Sequence, residues 1–140
     1  MSIRRRALAL ALLASPLLAC SDPYAEVKDR LSTEEIAVFD AGARVANPCW
    51  TCHDITGDTT KVGPPLRGLF GRAAASAPGY AYSPALQSSG VVWDEQTLAA
   101  FLRDVSGSIP GNRMVSPSVR SPTELGALIF FLREATRPPR

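Results

Sequence analysis

The stretch "NPCWTCHD", residues 47–54, gathers two thiols, Cys49 and Cys52, and the single imidazole of the chain, His53. Three chemistries suit such a group. A zinc half-site needs a second pair of ligands at similar spacing. Only one histidine is present and no cysteine follows Cys52, so carboxylates would have to complete that site. A redox dithiol of the thioredoxin kind needs βαβ units, and no segment here has convincing strand alternation. In the third chemistry each thiol adds to one vinyl group of haem as a thioether. The two-residue gap spans the distance between the vinyls, and the adjacent His53 is placed under the iron as an axial ligand. Spacing alone leaves the three open.

Haem iron takes a further ligand on its opposite face. Apart from Met1 the chain has one methionine, Met114, in "SIPGNRMVSP". A lone methionine is ordinarily a filler of core gaps. A loop stiffened by proline suits a presented ligand better than a core position. Thioether sulfur is soft, favours the ferrous state and raises the reduction potential relative to two imidazoles.

The elements that must position these residues follow an expected export signal. "MSIRRR" is a basic start, and "ALALALLASPLL" is an apolar run of twelve residues. That is short of the ~20 residues that span a bilayer. It ends in "LLAC", which resembles the lipobox of bacterial lipoproteins, whose cysteine becomes the lipid-modified first residue. Residues 1–19 are therefore expected to be the signal peptide, Cys20 the lipid attachment point, residues 20–31 a flexible polar tether, and residues 32–140 one domain. Such a tether reaches roughly 20 Å. Arg4, Arg5 and Arg6 leave with the signal, so fifteen basic residues fall to twelve against thirteen acidic, a net charge of −1. That balance gives no reason to expect nucleic acid. Export also brings the thiols into an oxidising compartment, where two neighbours rarely stay idle.

Within the domain, Ser32 with Glu35 fits a capping box ahead of an apolar face of Ile36, Phe39, Ala43 and Ala46. Pro48 ends that helix, and Gly42 sits inside it. Residues 54–91 are rich in glycine and proline, with a short helix at 83–88. A loop this long is out of place in a compact domain unless it is functional; wrapped around a large apolar cofactor, it would have a reason. Asp94 caps the next helix, with Leu98, Phe101, Leu102 and Val105 on its apolar face. The last begins at Pro122 and carries Leu125, Leu128, Ile129, Phe131 and Leu132. The class is all-α, with about four helices and long loops.

Taken together, these segments resemble the class I cytochromes c of the mitochondrial and bacterial c2 type. "GARVANPCWTCH" matches the first helix running into haem attachment, and "GPPLRGLFGR" is close to the family's Gly-Pro-Asn-Leu-His-Gly-Leu-Phe-Gly-Arg. "APGYAYSPALQSSGVVWDEQTL", "IPGNRM" and "LIFFLREAT" follow in family order and near-constant spacing. The resemblance covers about Ile36 to Thr136, nearly all of the expected domain.

It implies a cytochrome c fold wrapped around one covalent haem c, with Cys49 and Cys52 as thioether sites and His53 and Met114 as metal ligands. Pro64 offers its carbonyl to the His53 Nδ1–H. Tyr82 and Trp93 hydrogen-bond a haem propionate, and Arg72 helps to neutralise it. Gly42 lets Leu128 and Phe131 approach where the first and last helices cross. This chain also departs from the pattern. Ala46 stands where the family has an aromatic, with Phe130 as a possible substitute. Phe101 replaces a tyrosine, and Asn112 replaces a threonine. The family's lysine-rich rim is reduced to Lys28 and Lys61, while Arg67, Arg72 and Arg113 leave some positive charge on the expected haem side.

The resemblance implies no enzyme. It implies a monomeric one-electron carrier; the export signal and the lipobox-like "LLAC" add the expectation of a bacterial periplasmic protein anchored to the membrane through Cys20. The donor would be a quinol-oxidising complex and the acceptor an oxidase, a reductase or a photosynthetic reaction centre. Two other classes stay open. One is a haem peroxidase or gas sensor with an open sixth position; the other is a fixed haem subunit of a larger respiratory complex.

Overall fold

The computed structural model describes residues 22–138. The expected signal peptide and Cys20 lie outside the described residues. Seven helical segments run in order: α1 Ala25–Lys28, α2 Thr33–Val45, α3 Cys49–Cys52, α4 Pro84–Gln87, α5 Glu95–Arg103, α6 Val105–Ser108 and α7 Pro122–Ala135. No strand forms among the described residues; Ala73 and Val92 pair only as an isolated antiparallel bridge. The all-α expectation holds. The expected four helices resolve into three of at least nine residues and four single turns.

The long helices start where their caps require. The Ser32 hydroxyl accepts the Glu35 N–H at 3.2 Å, and the Glu35 carboxylate accepts the Ser32 N–H at 2.8 Å. Asp94 accepts the Thr97 N–H at 2.7 Å, and the Thr97 hydroxyl accepts the Asp94 N–H at 2.9 Å. Ser121 caps α7 ahead of Pro122. Each cap satisfies donors that a helix start would otherwise leave unpaired.

Helix α2 crosses α7, and α5 packs against α7 beside it. At the α2–α7 crossing the backbones meet at Gly42. A Cβ added there would strike the Ala127 carbonyl oxygen and lie 2.6 Å from Phe131 Cβ. The close neighbours are thus Ala127 and Phe131 rather than Leu128, which is buried alongside. Ala46 is fully buried, and its small side chain is not compensated by Phe130, which is only half-buried and lies under the Arg133 guanidinium at 5.0 Å. The aromatic that meets Phe131 at this crossing is Phe39, with ring centroids 5.0 Å apart.

Tyr24 completes this aromatic cluster, and here the expected tether differs from the fold. The Tyr24 ring stands edge-on to Phe39 and Phe131, 5.4 Å from each, and 6.0 Å from Trp50. It is 7 % exposed. Lys28 bridges Asp22 and Asp40, 2.7 Å from each. Residues 22–31 are therefore docked on the α2–α7 face rather than free. Local sequence hides this, because one tyrosine has no periodicity and its partners lie far along the chain.

The irregular segment between α3 and α4 is held mainly by backbone hydrogen bonds. Gly68 N–H donates to the Thr136 carbonyl at 2.7 Å, Leu66 N–H to Asp54 at 2.9 Å, and Gly71 N–H to Trp93 at 2.8 Å. These contacts tie the loop to the end of α7 and leave a cleft between it, α5 and the 109–117 loop.

Candidate haem-binding site

Helix α3 is one turn long, so Cys49 and Cys52 fall on the same side of it. Both thiols are free. The turn is closed by His53 N–H donating to the Cys49 carbonyl at 2.8 Å. Lys61 Nζ caps it, donating to the Trp50 and His53 carbonyls at 3.0 and 3.2 Å. Burial pushes the Cys49 thiol above its ordinary value, with the neighbouring Cys52 adding to the effect. A working redox dithiol needs the opposite shift. Among the described residues, no group of three or more His, Cys, Asp and Glu could hold a metal ion, which removes the zinc reading there.

His53 is 9 % exposed, and its Nδ1 lies 2.8 Å from the Pro64 carbonyl oxygen. A carbonyl only accepts, so Nδ1 carries the proton and Nε2 keeps a free lone pair. Burial lowers the imidazole pKa, opposed by the Pro64 hydrogen bond and assisted by the Lys61 charge. The ring is held neutral, which is the ligating form. Gly63 makes room for it: a Cβ there would lie 2.5 Å from His53 Cε1.

All eight residues that the sequence singled out around a haem line one cleft: Cys49, Cys52, His53, Pro64, Arg72, Tyr82, Trp93 and Met114. They come from segments up to 65 residues apart in the chain. Leu66, Leu69, Leu98, Phe101 and Leu102 supply much of the apolar wall. The cleft encloses about 1400 Å³ of non-atom space, its open mouth included. Arg72 lies at its edge with two donors already used, Nη1 on the Arg67 carbonyl at 2.9 Å and Nη2 on Pro65 at 3.0 Å. A guanidinium has five N–H donors, so three remain. Burial raises the Tyr82 phenol, which stays a neutral donor. Met114 is half-buried, and its N–H donates to Asn112 Oδ1 at 2.9 Å.

Other contacts at the site have no signature in the local sequence, although Arg113 was expected on this side of the domain. Gly63 acts through a contact that only the folded loop creates, although its place before Pro64 hinted at it. Lys61 had looked like a leftover surface lysine. Arg113 Nη2 donates to the Ala81 carbonyl at 2.6 Å, and Tyr80 donates to Val62 at 3.1 Å. The first joins the 109–117 loop to the segment between α3 and α4 across the cleft, the second ties that segment to itself, and no local pattern announces either.

The donor set fits haem: two free thiols on one turn, a neutral imidazole cradled by a glycine, a thioether from a separate loop, apolar walls and a guanidinium at the edge.

No family model matches the chain. Individual proteins do. Cytochrome c-550 of Bradyrhizobium diazoefficiens is 40 % identical over 95 residues, covering 67 % of this chain and 70 % of the relative. Cytochrome c2 of Blastochloris viridis is 37 % identical over 95 residues, covering 67 % of this chain and 75 % of the relative. Cytochrome c of Sesamum indicum is 44 % identical over 89 residues, covering 63 % and 80 %. Among solved structures, cytochrome cH from Methylobacterium extorquens superposes with a TM-score of 0.63 at 37 % identity, covering 67 % of this chain and 95 % of that one. The chain belongs to the class I c-type cytochromes, electron carriers rather than enzymes, with one covalently bound haem c.

Proposed function

We propose that the protein is a lipid-anchored electron carrier on the periplasmic side of a bacterial membrane, taking electrons from a quinol-oxidising complex and passing them to an oxidase, a reductase or a reaction centre. The observation that carries the redox part is the convergence of Cys49, Cys52, His53 and Met114 on one apolar cleft. The haem iron supplies reversible one-electron oxidation and reduction when bound there. Cys49 and Cys52 would attach the group, since one short turn holds both sulfurs in register. His53 Nε2, with the ring fixed by Pro64, and the Met114 sulfur would hold its iron. Tyr82, Trp93 and Arg72 would receive its carboxylates, because a buried carboxylate needs donors and a countercharge. The apolar wall excludes water, which keeps the surroundings from reorganising as charge moves.

The anchor rests on "LLAC" and on an apolar run too short to span a bilayer. No helix among the described residues is long and apolar enough to cross a membrane. An anchored carrier needs little steering charge, because the membrane supplies effective concentration. That suits a chain with two lysines, one ion-paired to carboxylates and the other capping α3.

Reduced-minus-oxidised spectra of periplasmic and membrane fractions test the reading. The haem signal should follow the membrane in the wild type and move to the soluble fraction in Cys20→Ser. A soluble wild-type protein overturns the anchor. Carbon monoxide tests the sixth ligand: the reduced wild type should take it up poorly and Met114→Ala readily. Rapid stoichiometric uptake by the wild type would instead favour an open site.

A further inference from the structure

We propose that Asn112 is the positioning residue that holds the Met114 side chain in the cleft; this rests on the ligation by Met114 proposed above. The side chain of Asn112 makes three hydrogen bonds. Nδ2 donates to the Val105 carbonyl at 2.7 Å and to the Ile109 carbonyl at 2.8 Å, and Oδ1 accepts the Met114 N–H at 2.9 Å. One planar amide thus ties α6, the turn that follows it and the backbone of residue 114 into a closed clamp.

Met114 and Val119 pack against the core, but few other hydrogen bonds restrain that segment. Residues 113–121 have no regular structure, and Val115, next to the ligand, is 97 % exposed. The neighbouring ties are Arg113 on the Ala81 carbonyl and Val119 N–H on the Leu102 carbonyl at 3.0 Å. Neither fixes the backbone of residue 114 itself. Gly111, at φ +87°, makes the turn that brings Asn112 back over α6.

The residue type matters. Two donors and one acceptor in a plane serve two carbonyls and one N–H together. Threonine, which the family pattern places here, has one O–H and can satisfy only one of the two carbonyls while accepting from Met114. Alanine satisfies none.

The holoprotein tests this with imidazole as the probe, since imidazole enters only when the methionine leaves. The oxidised wild type should show the long-wavelength sulfur-to-iron band. Asn112→Ala should weaken that band and bind imidazole about tenfold more tightly, as expected for losing hydrogen bonds that keep a loop closed. Asn112→Thr should fall between, and it carries the test if the alanine variant does not fold. Leu125→Ala, in the core of α7, should lower thermal stability without changing imidazole affinity. Equal imidazole affinity in Asn112→Thr and wild type overturns the clamp, as does a matching shift in Leu125→Ala. A wild type without the sulfur band overturns the ligation by Met114 instead.

Discussion

A methyl group at position 63 would lie 2.5 Å from the His53 ring, and the ring cannot retreat without leaving the Pro64 carbonyl. Gly63→Ala is therefore expected to displace the imidazole rather than merely crowd it. Overpacking of this kind costs about 1–3 kcal/mol. The variant should unfold at lower denaturant and show a perturbed axial-ligand spectrum, whereas simple crowding would lower stability and leave the spectrum unchanged. At this scale the chemistry was largely legible. Spacing singled out Cys49, Cys52 and His53 but left three chemistries open until the surrounding motifs resembled a family, and Met114 stood out as the sole internal methionine. The contacts of Gly63 and Lys61 were not legible, because each acts on a ring or a carbonyl that only the folded loops bring within reach; Arg113 was legible as charge on the haem side, but its bond to the Ala81 carbonyl was not.

Among the elements, the crossing of α2 and α7 sets the frame on which α3 and the cleft are hung. Gly42→Ala places a Cβ against the Ala127 carbonyl and Phe131 Cβ. Backbone cannot yield as a side-chain tip does, so a loss of about 2–3 kcal/mol is expected in denaturant unfolding. The docked N-terminal segment adds to the same crossing. Tyr24→Ala removes a ring packed on three others and should cost about 3 kcal/mol. A free tether would cost nothing, so the two views separate cleanly.

Tyr24 also gives this element a pH dependence. Burial, helped by the Asp22 charge, raises its phenol from 10.0 to about 12. The folded state keeps the proton longer than the unfolded chain does. Stability from this group is thus complete below the unfolded value and is lost as pH rises from there towards the folded one. Tyr24→Phe keeps the ring and removes the titration. The stability difference between wild type and Tyr24→Phe should drift across that window by no more than about 2.7 kcal/mol, two pH units at about 1.36 kcal/mol each. The capped helices were readable from Ser32, Glu35, Asp94 and Pro122. The docked segment was not, since composition alone makes residues 22–31 a polar linker.

On the scale of the whole molecule, the loops between the helices make sense only with the cleft they surround. Eight residues lining it were named from motifs, yet the bond across it from Arg113 to Ala81 and the tie within the long loop from Tyr80 to Val62 needed the fold. The docked segment also changes the anchored picture. With Asp22 paired to Lys28 and Tyr24 buried, the docked segment begins two residues after Cys20, the anchor proposed above. The domain would ride close to the bilayer rather than roughly 20 Å away. Fluorescence quenching between labelled lipid headgroups and the domain surface should therefore be stronger in wild type than in Tyr24→Ala; equal quenching would argue for a free tether. The attachment itself is tested most directly by the intact mass of the purified protein after acidified acetone has stripped non-covalent groups. Thioethers at Cys49 and Cys52 require a polypeptide heavier by one haem, with the gain lost in the Cys49→Ala, Cys52→Ala double variant. A wild-type mass equal to that of the bare chain would contradict it.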